Sequence, residues 1–529
     1  MKKYFDYIIV GGGSAGCVLA NRLSADPDTS VLLLEAGIDC RDLLTRIPAL
    51  ATHNVKRTKR VWHYFTTPQP GLENRRVFQP RGRILGGTSA INGMIYSRGH
   101  ARDFDAWEQT GAEGWGFREV LPYFRRSEDF SGGASFFRGA GGPINVTQHC
   151  KLEPLSETFL NACEESGLPS SDDINGGVQE GFHKCDVTIY RGQRVSAASA
   201  YIWPILDRSN LMVLPSAHCH KVLIQNGEVT GVKYELNGRI TKAFADREVC
   251  LCAGAASSPK LLMLSGIGPA SALRSLGIDV ICDLPVGQNL QDHLAVDVSY
   301  SSIENNSLAR HSSYASVFGA GLKWMLKREG PLTTNGFEVG AMVSSPYAEG
   351  YPDIQCLFIP VAKDVLKPRL WMHGYTISTG IGTIESTGCI RLRSQCPNDA
   401  PLIDPAYLAE KLDTKRMVFA LELALDLAEK NSFKATRGHR LFPILKSYEK
   451  SELERYIRES AFGCYHIAGS CRMGTNSDCV VNQEGQVYGV EKLRVCDASI
   501  MPRLPNASIN APTIMMAEKI ADHMLGNTT

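Results

Sequence analysis

The chain has 529 residues, of which 43% are hydrophobic and 21% charged, so we expect a folded protein with two domains rather than a disordered or membrane-embedded one. Its 56 basic and 55 acidic side chains give a net charge of +1, which lacks the positive field that nucleic-acid binding requires. None of the 16 cysteines forms a Cys-x-x-Cys pair, which argues against a metal site and a disulfide framework.

The first elements are predicted to be a strand, a glycine turn, a helix and a second strand. Tyr7–Val10 is an apolar β run, Ser14–Ser24 has the apolar spacing of a helix, and Val31–Leu34 is again a β run. Two further β runs, Glu248–Cys252 and Leu493–Val495, lie much later in the chain. We therefore predict a Rossmann-like βαβ domain that is assembled from separated segments.

The middle of the chain has a different pattern. Strand-like stretches at Asp353–Ile359 and Gly388–Leu392 alternate with a long helix-like run at Lys415–Glu429, as in an α+β substrate domain. A final helix is predicted over Pro512–Leu525, from its apolar stripe and its first-turn proline. The predicted domains are a cofactor-binding domain over 1–299, a substrate domain over 300–445, and a return to the first domain over 446–529.

A glycine motif, Gly11-x-Gly13-x-x-Gly16, stands between the first strand and the first helix. Such glycines allow a tight turn, close approach of a pyrophosphate, and packing of the helix on the sheet. Glu35 ends the second strand, where a carboxylate can accept hydrogen bonds from ribose hydroxyls. This context predicts a dinucleotide site that also includes Ser14 and Ala15, but it does not distinguish NAD from FAD.

The same residues also fit a different class of enzyme. Gly12-x-Ser14-x-Gly16 has the pattern of a hydrolase nucleophile elbow, with Ser14 as nucleophile. That interpretation gives Gly11 and Glu35 no role, so dinucleotide binding is the preferred hypothesis.

Two long motifs in the chain resemble the signatures of the glucose/methanol/choline (GMC) oxidoreductases. The first is Gly82-Arg-Ile-Leu-Gly-Gly-Thr-Ser-Ala-Ile-Asn92, continuing to Tyr96 and Gly99, and the second runs from Gly254 to Gly268. Three shorter resemblances lie at 286–293, 466–474 and 497–513. Because they occur in the family's order along the chain, we identify it as a member of this family.

The resemblance implies FAD as the cofactor. It places FAD on the glycine turn, Glu35, the 86–94 loop and Asp497-Ala498, with Trp62 and Val222 near the adenine. Ile91 stands where some members carry the histidine that binds flavin covalently, so non-covalent FAD is expected. The implied contacts beyond the glycine turn and Glu35 are Trp62, Gly87, Asn92, Gly93, Met94, Val222, Asp497, Ala498 and Thr513.

The resemblance also implies the catalytic residues. His466, which from its surroundings alone is equally consistent with a core histidine, matches the family's catalytic base. Asn510 matches the second active-site position, where an amide can hydrogen-bond the substrate oxygen. Asp292 and His293 lie in a family motif as well, and are interpreted as structural.

One further residue is a candidate for the substrate pocket. The segment 334–340, Thr-Asn-Gly-Phe-Glu-Val-Gly, resembles a stretch of choline dehydrogenases and aliphatic alcohol dehydrogenases that borders the substrate pocket. Glu338 is therefore a substrate candidate that could meet a cationic group. Recognition of a cation also favours an aromatic cage, and the sequence does not locate one.

The predicted function is oxidation of a primary alcohol to an aldehyde, with electrons passed to oxygen or a quinone-like acceptor. A hydroxynitrile lyase that keeps FAD as a structural group is the alternative. The predicted location is the cytoplasm, since the chain start lacks the pattern of a signal peptide. The basic run from Lys56 to Arg60 leaves open a peripheral contact with the inner face of a membrane, although a solvated loop is the preferred interpretation.

Overall fold

The computed structural model describes residues 3–56, 59–149, 151–363 and 371–526. In this part of the chain the α-helices are α1 (Ser14–Leu23), α2 (Leu43–Arg46), α3 (Ala51–Asn54), α4 (Ala101–Gln109), α5 (Phe117–Ser127), α6 (Pro154–Glu165), α7 (Ser257–Leu264), α8 (Ala270–Ser275), α9 (Tyr314–Lys327), α10 (Lys411–Glu429), α11 (Lys450–Ser460) and α12 (Asn510–Leu525).

The strands in the same residues form two large sheets and several small ones. In chain order they are β1 (Tyr4–Val10), β2 (Val31–Glu35), β3 (Val61–Phe65), β4 (Phe78–Gly82), β5 (Glu128–Phe130), β6 (Ile144–Gln148), β7 (Gly181–Lys184), β8 (Asp186–Val187), β9 (Ile189–Tyr190), β10 (Gln193–Arg194), β11 (Leu211–Pro215), β12 (Ala217–Gln225), β13 (Glu228–Leu236), β14 (Arg239–Leu251), β15 (Leu294–Ser302), β16 (Val339–Val343), β17 (Ile354–Ile359), β18 (Ala362–Lys363), β19 (Trp371–Met372), β20 (Gly374–Ile381), β21 (Cys389–Arg391), β22 (Leu402–Asp404), β23 (Arg437–Phe442), β24 (Phe462–Gly463) and β25 (Leu493–Val495).

The first large sheet is a parallel core with an antiparallel extension. Its main order is β11-β2-β1-β14-β13-β12, with β25 paired to β14. β1 pairs in parallel with both β2 and β14, and β14 pairs in parallel with β25. All five residues of β2 are buried, as expected for a strand covered on both faces. The predicted Rossmann-like βαβ domain assembled from separated segments is confirmed.

The end of the chain completes this first domain. β25 adds to the sheet beside β14, and α12 packs along α1. Arg22 on α1 makes an ion pair at 2.8 Å with the fully buried carboxylate of Glu518 on α12. α12 begins at Asn510, two residues before the predicted start, so Asn510 belongs to its first turn.

The second large sheet is antiparallel and forms a layer beside the first. Its order is β23-β15-β20-β17-β16-β7, with β24 paired to β15, and α10 packs against it. An α+β layer beside the Rossmann-like domain was predicted and is confirmed. Its strands β7, β15 and β24 come in whole or in part from outside 300–445, and the domain boundaries themselves remain a prediction.

Within the described residues, no helix is both long enough and apolar enough to span a membrane. The basic run that suggested a membrane contact is only partly described, since Arg57 and Thr58 lie outside the described residues.

Candidate functional site

A cavity of about 2130 Å³ lies between the two large sheets. One end is lined by the glycine turn after β1 and by Glu35 at the end of β2. The other end is lined by Gln355 and Ser378 of the antiparallel sheet, and His466 and Asn510 also lie in its wall. The cavity therefore joins the predicted cofactor residues of the first sheet to residues of the second sheet.

The glycine turn has the geometry that close approach to a phosphate requires. Gly11 has φ of +106°, and a Cβ on Gly16 would lie 1.9 Å from the carbonyl oxygen of Gly11. Gly13 is the N-cap residue of α1 and has no side chain that could accept from the first N–H groups of the helix. These free donors and the positive end of the helix dipole therefore suit a pyrophosphate bound in the cavity. Gly11, Gly13, Ser14 and Ala15 line the cavity, while Gly16 faces the sheet.

Glu35 lies where the motif predicts, but its carboxylate is already bonded to backbone. Its Oε2 accepts from the N–H of Gly12 at 2.9 Å and its Oε1 from the N–H of Gly37 at 2.6 Å. Burial raises the pKa of Glu35 to about 7, and these two N–H donors act in the opposite direction. Each carboxylate oxygen has a second lone pair, so Glu35 can still accept hydrogen bonds from ribose hydroxyls.

The loop from Gly86 to Met94 lies against the glycine turn, and the Gly86 N–H donates to the Gly12 carbonyl at 2.6 Å. A Cβ on Gly87 would lie 2.7 Å from the Cα of Gly13, so the two backbones are nearly in contact. The buried Arg194 donates at 2.7 Å to Oδ1 of Asn92, and this bond holds the loop in place. Gly87, Ile91, Asn92, Gly93 and Met94 all line the cavity.

Asp497, Ala498 and Thr513 bring the C-terminal part of the chain into the same wall. The Asp497 carboxylate accepts from the N–H of Gly254 at 2.8 Å and from the Ser258 hydroxyl at 2.5 Å. It thereby ties the C-terminal segment to the second GMC-like motif.

The predicted adenine end requires one correction. Trp62 lines the cavity, with its ring centroid 5.5 Å from that of His218. Val222 does not line the cavity: it lies fully buried further along β12, where its N–H donates to Ser265 Oγ at 2.9 Å. Cys219, three residues earlier on the same strand, is in the wall instead, together with Ala217 and His218.

His466 lies on a loop that is hydrogen-bonded to the start of the antiparallel sheet. The Cys464 N–H donates to the His293 carbonyl at 2.9 Å, and Ala468 and Gln291 exchange two backbone hydrogen bonds of 3.0 Å. Between them, Tyr465 has φ of +66° and its carbonyl accepts from the Arg81 guanidinium. The loop therefore has anchors on both sides of His466.

The His466 ring contacts a second histidine, which defines the tautomers of both. His293 Nε2 lies 3.0 Å from the carbonyl oxygen of Gly382, so this nitrogen carries the proton and donates it. His293 Nδ1 is then an acceptor, and His466 Nδ1, 2.9 Å away, must donate to it. In this arrangement His466 Nε2 carries a lone pair that can accept a proton.

Burial keeps this pair of rings neutral. Burial lowers the pKa of His293 to about 4. Burial, His293 and the nearby Arg81 together lower the pKa of His466 well below 6.5. His466 is therefore an unprotonated imidazole at neutral pH, which is the form that acts as a base.

Asp292 positions the backbone of His466. Its Oδ1 accepts from the His466 N–H at 2.6 Å, and its Oδ2 accepts from Tyr407 OH at 2.5 Å and Gln79 Nε2 at 2.7 Å. Burial raises the pKa of Asp292 to about 6, with these donors acting against it. The structural interpretation of Asp292 and His293 is refined, since each contacts the candidate base.

Asn510 contacts the glycine turn across the cavity. Ser14 Oγ donates to Asn510 Oδ1 at 2.7 Å, which leaves the Nδ2–H groups of Asn510 to donate to a substrate oxygen. The partner of Ser14 is thus an amide, which cannot remove a proton from a serine hydroxyl. The nucleophile-elbow hypothesis for Ser14 lacks its base in this geometry.

Glu338 is not where the sequence hypothesis placed it. It is 2% exposed and does not line the cavity, because its carboxylate turns toward α6. There Oε2 accepts from the Glu153 N–H and from the Ser156 hydroxyl, both at 2.8 Å. Glu338 therefore caps the start of α6, and the substrate assignment is corrected.

Substitution of Glu338 can distinguish a role in capping α6 from a role in binding substrate. Glu338→Ala is expected to reduce the free energy of unfolding by about 1 to 2 kcal/mol, the cost of losing a helix cap, and to leave the KM for substrate unchanged. Ser156→Ala, which removes one of the two donors, is the milder matched change. Denaturation and steady-state kinetics on both variants check it, and a raised KM with unchanged stability would restore the substrate role.

Other residues that were not predicted also line the cavity. Phe337, next to Glu338 in sequence, is one of them, and Asp297 on β15 is another. Neither residue was predicted from the sequence, because no local pattern shows which side chains of a strand or loop will face a cavity between two sheets. The aromatic residues of this region are Phe337, Phe442, Tyr456, Phe462 and Tyr465.

The chain is similar to proteins of one family over nearly its whole length. Profiles of the N- and C-terminal domains of the GMC oxidoreductases match residues 5–295 and 385–517. Oxygen-dependent choline dehydrogenase of Photobacterium profundum is 39% identical over 534 residues, covering 100% of this chain and 94% of the relative.

Solved structures of similar fold also cover nearly the whole chain. Pyridoxine 4-oxidase from Mesorbium loti has a TM-score of 0.90 and 32% identity, covering 99% of this chain and 100% of that chain. A variant of the formate oxidase of Aspergillus oryzae RIB40, solved to examine modification of its FAD, has a TM-score of 0.92 and 27% identity, covering 99% and 98%.

Proposed function

The chain belongs to the GMC oxidoreductase family, whose members are FAD-dependent enzymes acting on CH–OH groups, and we propose that it oxidises a primary alcohol to an aldehyde. When bound, FAD supplies the hydride acceptor at its N5 atom. The observation that carries the proposal is the neutral His466, held in the cavity wall by His293 and Asp292.

The role we assign to His466 is to take the hydroxyl proton on Nε2 as hydride leaves the carbinol carbon. An alcohol is a poor hydride donor until this proton is removed, and a base with a pKa below neutrality is ready to accept it. Asp292 and His293 are positioning residues, because they fix the loop and the tautomer. Asn510 donates to the substrate oxygen and orients the carbon toward the cofactor.

The residues of the cofactor end are consistent with FAD. The free N–H groups of α1 suit its pyrophosphate, Glu35 its ribose, and the wall of Trp62 and Cys219 its adenine. The loop from Gly86 to Met94 and the Asp497-Ala498 pair suit the flavin end.

We propose that the FAD is bound without a covalent link. Ile91, in the cavity wall, has no atom that can bond to the flavin ring. The purified protein is expected to be yellow and to release all of its flavin into the supernatant on acid precipitation. Absorbance of the supernatant and pellet checks this, and flavin retained in the pellet would show a covalent attachment elsewhere.

Glu35 provides a second test of the cofactor site. At pH 8, where the Glu35 carboxyl with its pKa of about 7 is mostly ionised, Glu35→Ala is expected to weaken FAD binding by roughly 1.5 to 3 kcal/mol, because the ribose hydroxyls lose a charged acceptor. Glu35→Gln, which keeps the size and one acceptor oxygen, should lose less. Titration of the apoprotein with FAD measures both, and equal affinity for all three proteins would remove Glu35 from the ribose.

We further propose that the substrate is a small aliphatic alcohol, and choline is the first one to test. The relative of Photobacterium profundum carries choline in its name, and here a carboxylate, Asp297, shares the cavity wall with aromatic rings, as suits a cationic group. Electrons then pass to oxygen or to a quinone-like acceptor.

Anaerobic mixing with a panel of alcohols tests the reaction class. Choline, aliphatic, aromatic, amino and sugar alcohols are each added to the oxidised protein, and flavin bleaching is followed. Bleaching by any of them identifies an alcohol oxidation, and reoxidation by air or by a soluble quinone then distinguishes the acceptors. A flavin that no alcohol reduces, in a protein that cleaves a hydroxynitrile, would favour the lyase alternative.

A further inference from the structure

Helix α9, over Tyr314–Lys327, exposes large apolar side chains to solvent. Phe318 is 76% exposed and Leu326 is 74% exposed. A helix on the surface of a globular protein normally turns such residues toward the core. The exposed large apolar residues of α9 are Val317, Phe318, Leu322, Met325 and Leu326.

The helix is attached to the protein by one narrow stripe. Ala320 and Trp324, four residues apart and therefore on one face, are its buried side chains among those described. The Trp324 indole N–H donates to the Gly192 carbonyl at 2.7 Å. Because the buried stripe consists of Ala320 and Trp324, most of the apolar surface of the helix faces solvent.

The charges around this surface are mainly positive. α9 contains Lys323 and Lys327 and no acidic residue, and Arg328 follows directly. From 308 to 329 the chain has one acidic residue, Glu329, whose carboxylate lies 3.7 Å from Lys323 Nζ. Exposed apolar side chains with lysines beside them are the pattern of a helix that lies in the interface of an anionic membrane.

The same helix borders the cavity that holds the candidate site. Val317 is exposed and also lines the cavity, so the cavity reaches the surface beside α9. The segment Ala49–Lys56, including the basic side chain of Lys56, also lines the cavity. This segment lies nearby, because the turns Pro48–Leu50 and Pro331–Thr333 are in contact.

We propose that α9 docks on an anionic lipid surface, with its apolar face in the interfacial region and the cavity opening turned toward the membrane. A second copy of the chain fits this face less well. A two-fold axis that crosses α9 near Met325, within its exposed apolar surface, would bring Lys323 of one copy against Lys327 of the other, and like charges at an interface are unfavourable.

The test is flotation of the purified flavin-loaded protein with vesicles of phosphatidylcholine, with and without phosphatidylglycerol. The wild type should float with the anionic vesicles. The double variant Phe318→Ser with Leu326→Ser should partition about 100-fold more weakly, since each side chain contributes on the order of tenfold by leaving water. Phe136→Ser, which changes a 72% exposed phenylalanine in the β5–β6 loop, is the matched control and should float as the wild type does.

Two further measurements separate the outcomes. Lys323→Gln with Lys327→Gln should weaken flotation with anionic vesicles and leave binding to neutral vesicles unchanged. Light scattering reports the oligomeric state, and a dimer that the Phe318→Ser, Leu326→Ser protein loses would overturn the proposal in favour of a second copy.

Flavin content and turnover of a water-soluble alcohol with a soluble acceptor should match the wild type in every variant, which shows that they fold. Wild-type protein that remains in the buffer fraction when the anionic vesicles float would also overturn the proposal. Neither result depends on which alcohol is oxidised, so failure here is distinct from failure of the proposed reaction.

Discussion

Replacing His466 by alanine is expected to slow flavin reduction by about 10² to 10⁴, the range that a positioned general base contributes. The variant should fold and keep its FAD, since the His466 backbone N–H that Asp292 accepts is unchanged. Anaerobic stopped-flow absorbance measures the rate directly. Reduction at the wild-type rate by a protein that keeps its flavin would return His466 to the role of a core histidine.

The pH dependence distinguishes a base from an orienting group. The pKa of His466 is lowered well below 6.5, so the wild-type rate should stay level as pH falls from 8 to 6.5, where an ordinary histidine would already be about half protonated. His466→Ala should recover part of its rate at high pH, where alkoxide replaces the missing base. Asn510→Ala should also be slow, without this recovery, because an amide transfers no proton.

His293→Gln gives the matched test of the tautomer. An amide in its place can still accept from His466 Nδ1, so part of the rate should remain. His293→Leu removes the acceptor, and the acid limb of the pH profile should then shift while FAD binding is retained. Identical pH profiles for the two variants would mean that His293 does not act through His466.

The second large effect is expected in stability. Arg138 is 1% exposed, and its guanidinium is bonded to Glu128 at 2.8 Å, Asp173 at 2.6 Å and Asp186 at 2.8 Å. Arg138→Met should lower the free energy of unfolding by about 3 to 5 kcal/mol, because buried carboxylates lose their partner. Asp186, one of these carboxylates, is 1% exposed. Its backbone carbonyl accepts from the Tyr96 N–H at 2.8 Å, so the ion-pair cluster lies close behind the cavity wall.

Arg41→Met is the matched control for this change. Arg41 makes an ion pair with Asp39 at 2.7 Å, but it is 63% exposed, so its loss should change stability by less than about 1 kcal/mol. Denaturant unfolding of both variants gives the comparison. Equal effects would mean that burial of Arg138 does not set its contribution.

Elements with local signals were predicted well. β25 coincides with the predicted Leu493–Val495, and the first helix ends within one residue of the predicted position. Apolar runs, glycine turns and a first-turn proline all act within a few residues, so the sequence displays them directly. The same holds for Gly13 and Glu35, which lie in the cavity wall, whereas His466, also in the wall, was singled out only by the family resemblance.

Contacts between distant segments were not predicted. His293 and His466 are 173 residues apart, and Arg194 reaches Asn92 from 102 residues away. Glu338 was misplaced because a short motif does not show whether a side chain faces the cavity or a neighbouring helix. Val222 was misplaced because the resemblance does not show that its side chain is fully buried and that its N–H is bonded to Ser265 Oγ.

The bond between Ser14 and Asn510 joins residues 496 positions apart. During synthesis at 5 to 20 residues per second, the glycine turn therefore waits on the order of half a minute or more before its partner is made. β25 and α12 arrive in the same late interval, so the parallel sheet lacks an edge strand and a covering helix until then. A nascent chain therefore lacks both His466 and Asn510 until most of the polypeptide has been made, so the candidate site is completed only late in synthesis.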